Sequence, residues 1–271
     1  MRPRDTGKLR CMPSGRRRNS IESAVVLQAA RMGEIHRRVA LFTGERGVVY
    51  ATAHGAGKAV SKLKAAAIPF ALITAYLYHD PVRNSFKVTD VEARNLHPAI
   101  RADLRKFFTA SLWVEIVLRS HGGGTHADEL FTLLVESLQR LDGASEDDVA
   151  LLSAQVLWRA LLHMGITPDL ECCDACGREV GAHEDLRLAA HGGSWCQRCA
   201  AARGLRDLPV AGLRIDASAR RFLLATGGLP LAAAGAYTFA GAEQLRRSLQ
   251  QLVQHGLERP LNSLRCAAGI L

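Results

Sequence analysis

The chain has 271 residues, 48% hydrophobic and 23% charged, the composition of an ordinary globular protein with room for two or three small domains. Its net charge of +9 is concentrated at one end: residues 1–64 carry fourteen Lys or Arg against four Asp or Glu, a balance of +10, whereas the other 207 carry 21 against 22. No uncharged apolar window reaches about 18 residues and the basic start lacks the apolar core of a secretory signal, so no membrane span is expected and the chain is read as cytoplasmic.

Residues 1–20 include Arg16, Arg17 and Arg18 among Pro, Gly and Ser with no hydrophobic period, which predicts a disordered basic tail. From Ile21 the texture turns to short β-rich runs at 22–32, 37–43, 47–54, 70–79 and 85–93. The second and third runs are joined by Thr43-Gly44-Glu45-Arg46-Gly47, whose glycines can take the positive φ a hairpin needs. Between the third and fourth, Ser61 is expected to cap a short helix over Lys62–Ala67 that stops before Pro69. Five strands with an insertion there match an OB-fold barrel, a common binder of single-stranded nucleic acid.

After His97-Pro98 the apolar period becomes helical, through Leu104, Phe107, Phe108, Leu112, Val114 and Ile116. His121–Thr125 reads as a glycine-rich break. Helices follow near 126–141 and near 146–164, the latter opened by Ser145 with Asp148 three positions on. A cysteine-containing segment at 170–204 interrupts them, and further helices are expected near 216–226, 241–256 and 260–267. The division is thus a tail at 1–20, a barrel at 21–95, helices at 96–169, a cysteine module at 170–204 and helices at 205–271. The fold class is α+β.

Cys173-Asp174-Ala175-Cys176 and Cys196-Gln197-Arg198-Cys199 are two Cys-x2-Cys knuckles with nineteen residues between them, a zinc-ribbon spacing. Gly177 after the first and Gly192-Gly193 before the second permit tight turns. Four thiolates close a tetrahedral zinc site with no open position, so the metal would be structural. Cys172, beside Cys173, is an alternative ligand. His183 and His191 lie near but read as solvated.

A basic domain on a near-neutral one is the footprint of phosphate neutralisation. Arg37, Arg38, Lys58, Lys62 and Lys64 are the candidates for phosphate contact, with Arg31 and Arg46 behind them. Among the barrel aromatics, Phe42, Tyr50, Phe70, Tyr76 and Tyr78, most read as core, as do Phe107, Phe108, Trp113 and Trp158 at helical spacing.

The run Glu34-Ile35-His36-Arg37-Arg38-Val39-Ala40-Leu41-Phe42-Thr43, then Gly47, Gly55-Ala56-Gly57-Lys58 and Ser61-Lys62-Leu63, resembles the opening signature of the RecO family. Leu170 with Cys173, Cys176, Gly177, Gly192-Gly193, Cys196 and Cys199 is similar to its zinc module. The family often has a basic residue where Gly57 stands, so that loop carries less charge here.

The resemblance implies a non-enzymatic recombination mediator of DNA repair. It would bind single- and double-stranded DNA, anneal strands, engage the C-terminal tail of single-strand-binding protein and, with RecR, help load RecA. A basic rim for that acidic tail could come from Arg105, Lys106, Arg119, Arg140 or Arg159. A catalytic zinc would need an open metal position and a magnesium nuclease clustered carboxylates, and neither Asp147-Asp148 nor Glu184-Asp185 provides the latter. The remaining alternative is a zinc-ribbon RNA-binding or transcription-associated factor.

Overall fold

The structure is a computed structural model and describes residues 18–120, 126–188, 193–202 and 213–271. Five strands open it: β1 Asn19–Met32, β2 His36–Thr43, β3 Gly47–Ala53, β4 Leu72–Asp80 and β5 Ser85–Asn95. They close into a barrel in the order β1-β2-β3-β5-β4, with β4 returning to β1. Only β3 and β5 run parallel, joined through the segment between β3 and β4 and then β4 itself. This is the OB arrangement expected. Closure leaves no unpaired sheet edge.

Burial explains the sequence texture. Val39, Leu41, Val49, Ala51, Ala53, Ile73, Ala75, Leu77 and Val88 fill the barrel. Val25, Leu27, Ala40, Phe42 and Phe70 sit on its other side and join a separate core with the helices. The runs Ala24–Leu27 and Val39–Phe42 are therefore apolar without alternation because both faces are covered. Phe42 meets Phe131 edge to face at 5.7 Å, and Phe70 meets Phe107 at 5.5 Å, so the barrel is seated on the helical body by aromatic contacts.

Three expectations fail locally. Asn19 and Ser20 pair with Tyr78 and Leu77, so the first strand begins inside the stretch assigned to the tail; residues 1–17 lie outside the described residues. Ser61 caps no α-helix: its hydroxyl accepts from the Leu63 amide in a local turn, and a single 3-10 turn occupies Lys64–Ala67. In the β2–β3 connection only Gly47 takes a positive φ, +66°. Gly44 keeps a negative φ, and a Cβ there would make only ordinary contact, 3.5 Å, with the Phe131 ring. The break at His121–Thr125 is outside the described residues.

The helices are α1 Pro98–Ala102, α2 Leu104–Arg119, α3 Ala127–Gly143, α4 Glu146–Met164, α5 Gln197–Ala202, α6 Ala217–Thr226, α7 Leu231–Ala234, α8 Ala242–Gly256 and α9 Asn262–Cys266. Helix α4 starts as its sequence dictates, with Ser145 Oγ accepting from the Asp148 amide, and ends on Gly165 in the left-handed region. It is the central helix, packed against α2, α3, α6, α7 and α8. Short strands β6 Leu186–Leu188, β7 Ser194–Cys196 and β8 Arg214–Ile215 form a sheet in the order β7-β6-β8. Strand β8 lies beyond the boundary expected at residue 204. The module's sheet thus takes a strand from the following segment.

His97 fixes the barrel–helix junction. It is left-handed (φ 44°) and buried, and its Nδ1–H donates to the Phe70 carbonyl at 2.8 Å. Burial, opposed by that hydrogen bond, holds its pKa below the ordinary 6.5. The unfolded chain therefore takes up this proton first. The stabilisation present above 6.5 is lost as pH falls from 6.5 towards the depressed folded value. Between about pH 7.5 and about pH 5.5 the wild-type melting temperature is expected to fall further than that of His97→Asn, a residue that tolerates the same backbone. Parallel curves would reject the junction as a proton-linked element.

Candidate nucleic-acid interface and metal centre

The expected phosphate contacts gather at one end of the barrel. Arg37 faces Ala53 on β3 and Arg31 on β1, and Arg38 faces Thr52 and Ala30. Two arginines directly opposite one another on a ladder repel. Neither makes an ion pair among the described residues. The turns after β3 close over this end: the Gly57 amide donates to the Ile35 carbonyl at 2.8 Å, and the Gly55 amide to His36 Nδ1 at 3.1 Å. Lys58, Lys62 and Lys64 project from this connection, all exposed and without ion pairs among the described residues.

Gly57 has a specific fit. A Cβ there would fall 2.6 Å from Arg37 Nη1, so the Arg37 guanidinium occupies the space a side chain at this position would need. The Arg37 guanidinium from β2 thus lies against the backbone of this loop. Arg46, by contrast, is taken up structurally: it pairs with buried Glu22 at 2.5 Å and lies over the Phe86 ring at 5.8 Å. Sequence pattern could not show that, because its partner is 24 residues away.

The aromatics divide against expectation in two places. Trp113 and Trp158 are core, but Phe107 is 36% exposed and Tyr50 is 55% exposed. Tyr50 alternates with barrel-filling Val49 and Ala51, so it points outward between Val48, packed on the helical body, and Thr52. Tyr76 is tied by its hydroxyl to Glu92 at 2.7 Å.

Of the five cations considered for a basic rim, four serve the fold. Arg159 is buried and donates to the Gln155, Thr226 and Leu229 carbonyls; Lys106 donates to Asp142 O; Arg140 donates to Leu231 O; Arg105 pairs with Glu243. Arg119 alone of the five lines the apolar groove of about 540 Å³ between barrel and helices, with Leu27, Phe70, Phe107, Phe108 and Val114. It also bonds Glu115 at 3.2 Å.

Cys173, Cys176, Cys196 and Cys199 come together with their four sulfurs within 4.8 Å of one another, a donor set that could hold a metal ion. Gly177 takes φ +67° after the first knuckle, as its position suggested. Gly193 lies against Asp174, whose carboxylate accepts from the Ser194 amide at 2.5 Å and ties one knuckle to the other. The Cys196 amide donates to Cys173 Sγ at 3.3 Å. The Cys199 backbone N–H, against burial, and then Arg178 hold the Cys196 thiol down at about 6. Hydrogen bonds from Cys176 and then Cys196 push Cys199 up to about 12. Four soft sulfurs crowded together, with Cys176 and Cys196 favoured as thiolates by the Arg178 and Cys199 backbone N–H groups, fit a cation.

Cys172 is outside the cluster; burial raises its pKa, and its backbone bridges to Glu179 instead. His183 is also outside it, and His191 is not among the described residues. Arg220, 3% exposed, fastens the module to α6 by donating to the Leu170, Val180 and Gly181 carbonyls.

A basic OB-type barrel seated on a helical body that carries an inserted four-cysteine module defines the class of protein. The family model described as Recombination protein O N terminal matches residues 14–96, and that described as Recombination protein O C terminal matches residues 101–265. The chain is 32% identical over 243 residues to the DNA repair protein RecO of Anaeromyxobacter dehalogenans, covering 90% of this chain and 93% of that one. It is 26% identical over 257 residues to the RecO of a Synechococcus species, covering 92% and 83%, and 34% identical over 178 residues to that of Geobacter sulfurreducens, covering 65% and 71%. The chain belongs to the RecO family and has a role in DNA repair and recombination. No helix among the described residues is long and apolar enough to cross a membrane.

Proposed function

We propose that the protein is a non-enzymatic recombination mediator of the RecF pathway. It binds single- and double-stranded DNA, anneals complementary strands and, with RecR, helps load RecA onto DNA coated with single-strand-binding protein. The observation that carries this reading is the uncompensated charge at one end of the barrel, where Arg31 and Arg37 face each other beside three exposed lysines. A phosphate backbone supplies the missing anion. Arg37, Arg38, Lys58, Lys62 and Lys64 make the phosphate contacts, and bases left unblocked are free to pair.

In this reading residues 21–95 hold DNA, the helices at 96–169 and 205–271 receive protein partners, and the module at 170–204 is built on structural zinc held by the four clustered cysteines. The groove beside Arg119 has the apolar floor that a Phe-ended acidic tail of single-strand-binding protein requires. Glu115, which lines it, is already engaged by the Asn262 and Ser263 amides and by Arg119. The site of action is the bacterial nucleoid in the cytoplasm.

The test is annealing of complementary oligonucleotides coated with cognate single-strand-binding protein, with and without RecR, in DNA and RNA forms. Annealing of DNA that responds to RecR is expected. A folded protein that anneals neither, or binds RNA alone, would favour an RNA-binding zinc-ribbon factor instead.

A further inference from the structure

Tyr50 is the one large side chain in the middle of β3 that neither fills the barrel nor packs under the helices. Its ring is 55% exposed, and its hydroxyl makes no hydrogen bond among the described residues. Exposing an aromatic ring in mid-strand forfeits burial of a large apolar surface. On the adjacent strand its partner is Ala40, too small to shield it.

Next to it lies a row of outward residues across three strands: Arg38 on β2 pairs with Thr52 on β3, and Thr52 pairs with Lys87 on β5. Tyr78 on β4 follows Lys87 in the same row. The outward positions of β2 and β3 hold no Asp or Glu: they are His36, Arg38, Ala40, Phe42, Val48, Tyr50 and Thr52. One flat ring is thus bordered by Arg38 and Lys87, with no carboxylate among its neighbours on β2 and β3; the nearest on the row is Asp80 of β4, whose charge is felt by Lys87. The row leads directly to the basic end formed by Arg37 and Lys58.

We propose that Tyr50 is a stacking platform for an unpaired base of single-stranded DNA, with Arg38 and Lys87 holding the phosphates on either side. This rests on the reading of the barrel as the DNA-binding domain and adds to it a residue that sets strand preference. Phosphates are equally available on duplex and single strand, so cations alone discriminate weakly. A base face is available only when the base is unstacked, so a ring discriminates strongly.

The experiment measures binding of labelled oligo(dT) and of a blunt duplex of equal length by anisotropy at one salt concentration, for wild type, Tyr50→Phe and Tyr50→Leu. A parallel arm follows quenching of 2-aminopurine placed in the single strand. Leucine keeps the cover over Ala40 but has no π face. Tyr50→Leu is expected to bind oligo(dT) about five- to tenfold more weakly, with duplex binding within about twofold of wild type and the quenching lost. Tyr50→Phe is expected to match wild type in all three. An unchanged ratio of single-strand to duplex affinity in Tyr50→Leu overturns the proposal, and so does equal weakening of both, which would mark a packing role. Failure of the wild type to bind either DNA would instead remove the underlying reading, and this one with it.

Discussion

Replacing Cys176 and Cys199 together by serine is expected to abolish metal content and to lower the melting temperature by about 10 °C. The four sulfurs lie within 4.8 Å of one another, and the two knuckles are otherwise joined by little more than the Asp174–Ser194 contacts and the Cys196 amide to Cys173 Sγ. The module's buried apolar residues, Leu170, Val180, Leu186 and Leu188 among them, are too few to order it alone. A loss of ~3 kcal/mol, a modest share of the ~10 kcal/mol or more that structural zinc supplies in small domains, corresponds to ~10 °C at this chain length. Loosening should spread to the Arg220 contacts on Leu170, Val180 and Gly181, and stop short of the barrel, whose core is separate. DNA affinity should therefore persist. Complete metal loss with unchanged melting would refute a structural role for the ion.

The second large effect concerns the barrel. The variant Arg37→Ala, Arg38→Ala, Lys62→Ala is expected to reduce the slope of log affinity against log salt by about 2.7, that is about 0.9 for each phosphate contact removed on duplex DNA. At ~0.1 M salt this amounts to a loss of several hundred-fold relative to a ~1 M reference. Fold stability should change little, because none of the three makes an ion pair among the described residues and Arg38 and Lys62 are exposed. Arg37 donates to its neighbour's carbonyl at His36, a local contact. An unaltered slope would mean that phosphates lie elsewhere.

The elements legible in the sequence were those whose signal is local. Ser145 and Asp148 announce α4 because the cap is made within one turn, and the two Cys-x2-Cys spacings bring their sulfurs together because each knuckle is a turn in itself. Strand positions were legible from turn residues and β-branched runs. What was not legible depends on contacts distant in sequence. Tyr50 looks like core because outward positions of β2 and β3 are covered by helices near Phe42 and Val48 but uncovered two residues away, and the sequence carries no mark of where the cover ends. Arg46 looks like a surface cation until the barrel brings Glu22 beside it. Ser61 has the right residue type for a cap, but its hydroxyl closes a turn two residues on instead.

The placing of α4 has a consequence for synthesis of the chain. Its principal partner, α8, is nearly 80 residues further along, on the far side of the cysteine module. A ribosome at about 5–20 residues per second completes the barrel about 7–30 seconds before α8 begins to emerge. During that interval Leu152, Leu157 and Leu161 have no finished core to enter. The nascent protein therefore carries a closed barrel ahead of a sticky, half-made helical body, which makes the C-terminal helices decisive for solubility. Premature termination before Ala242 should yield aggregates rather than a trimmed but usable molecule.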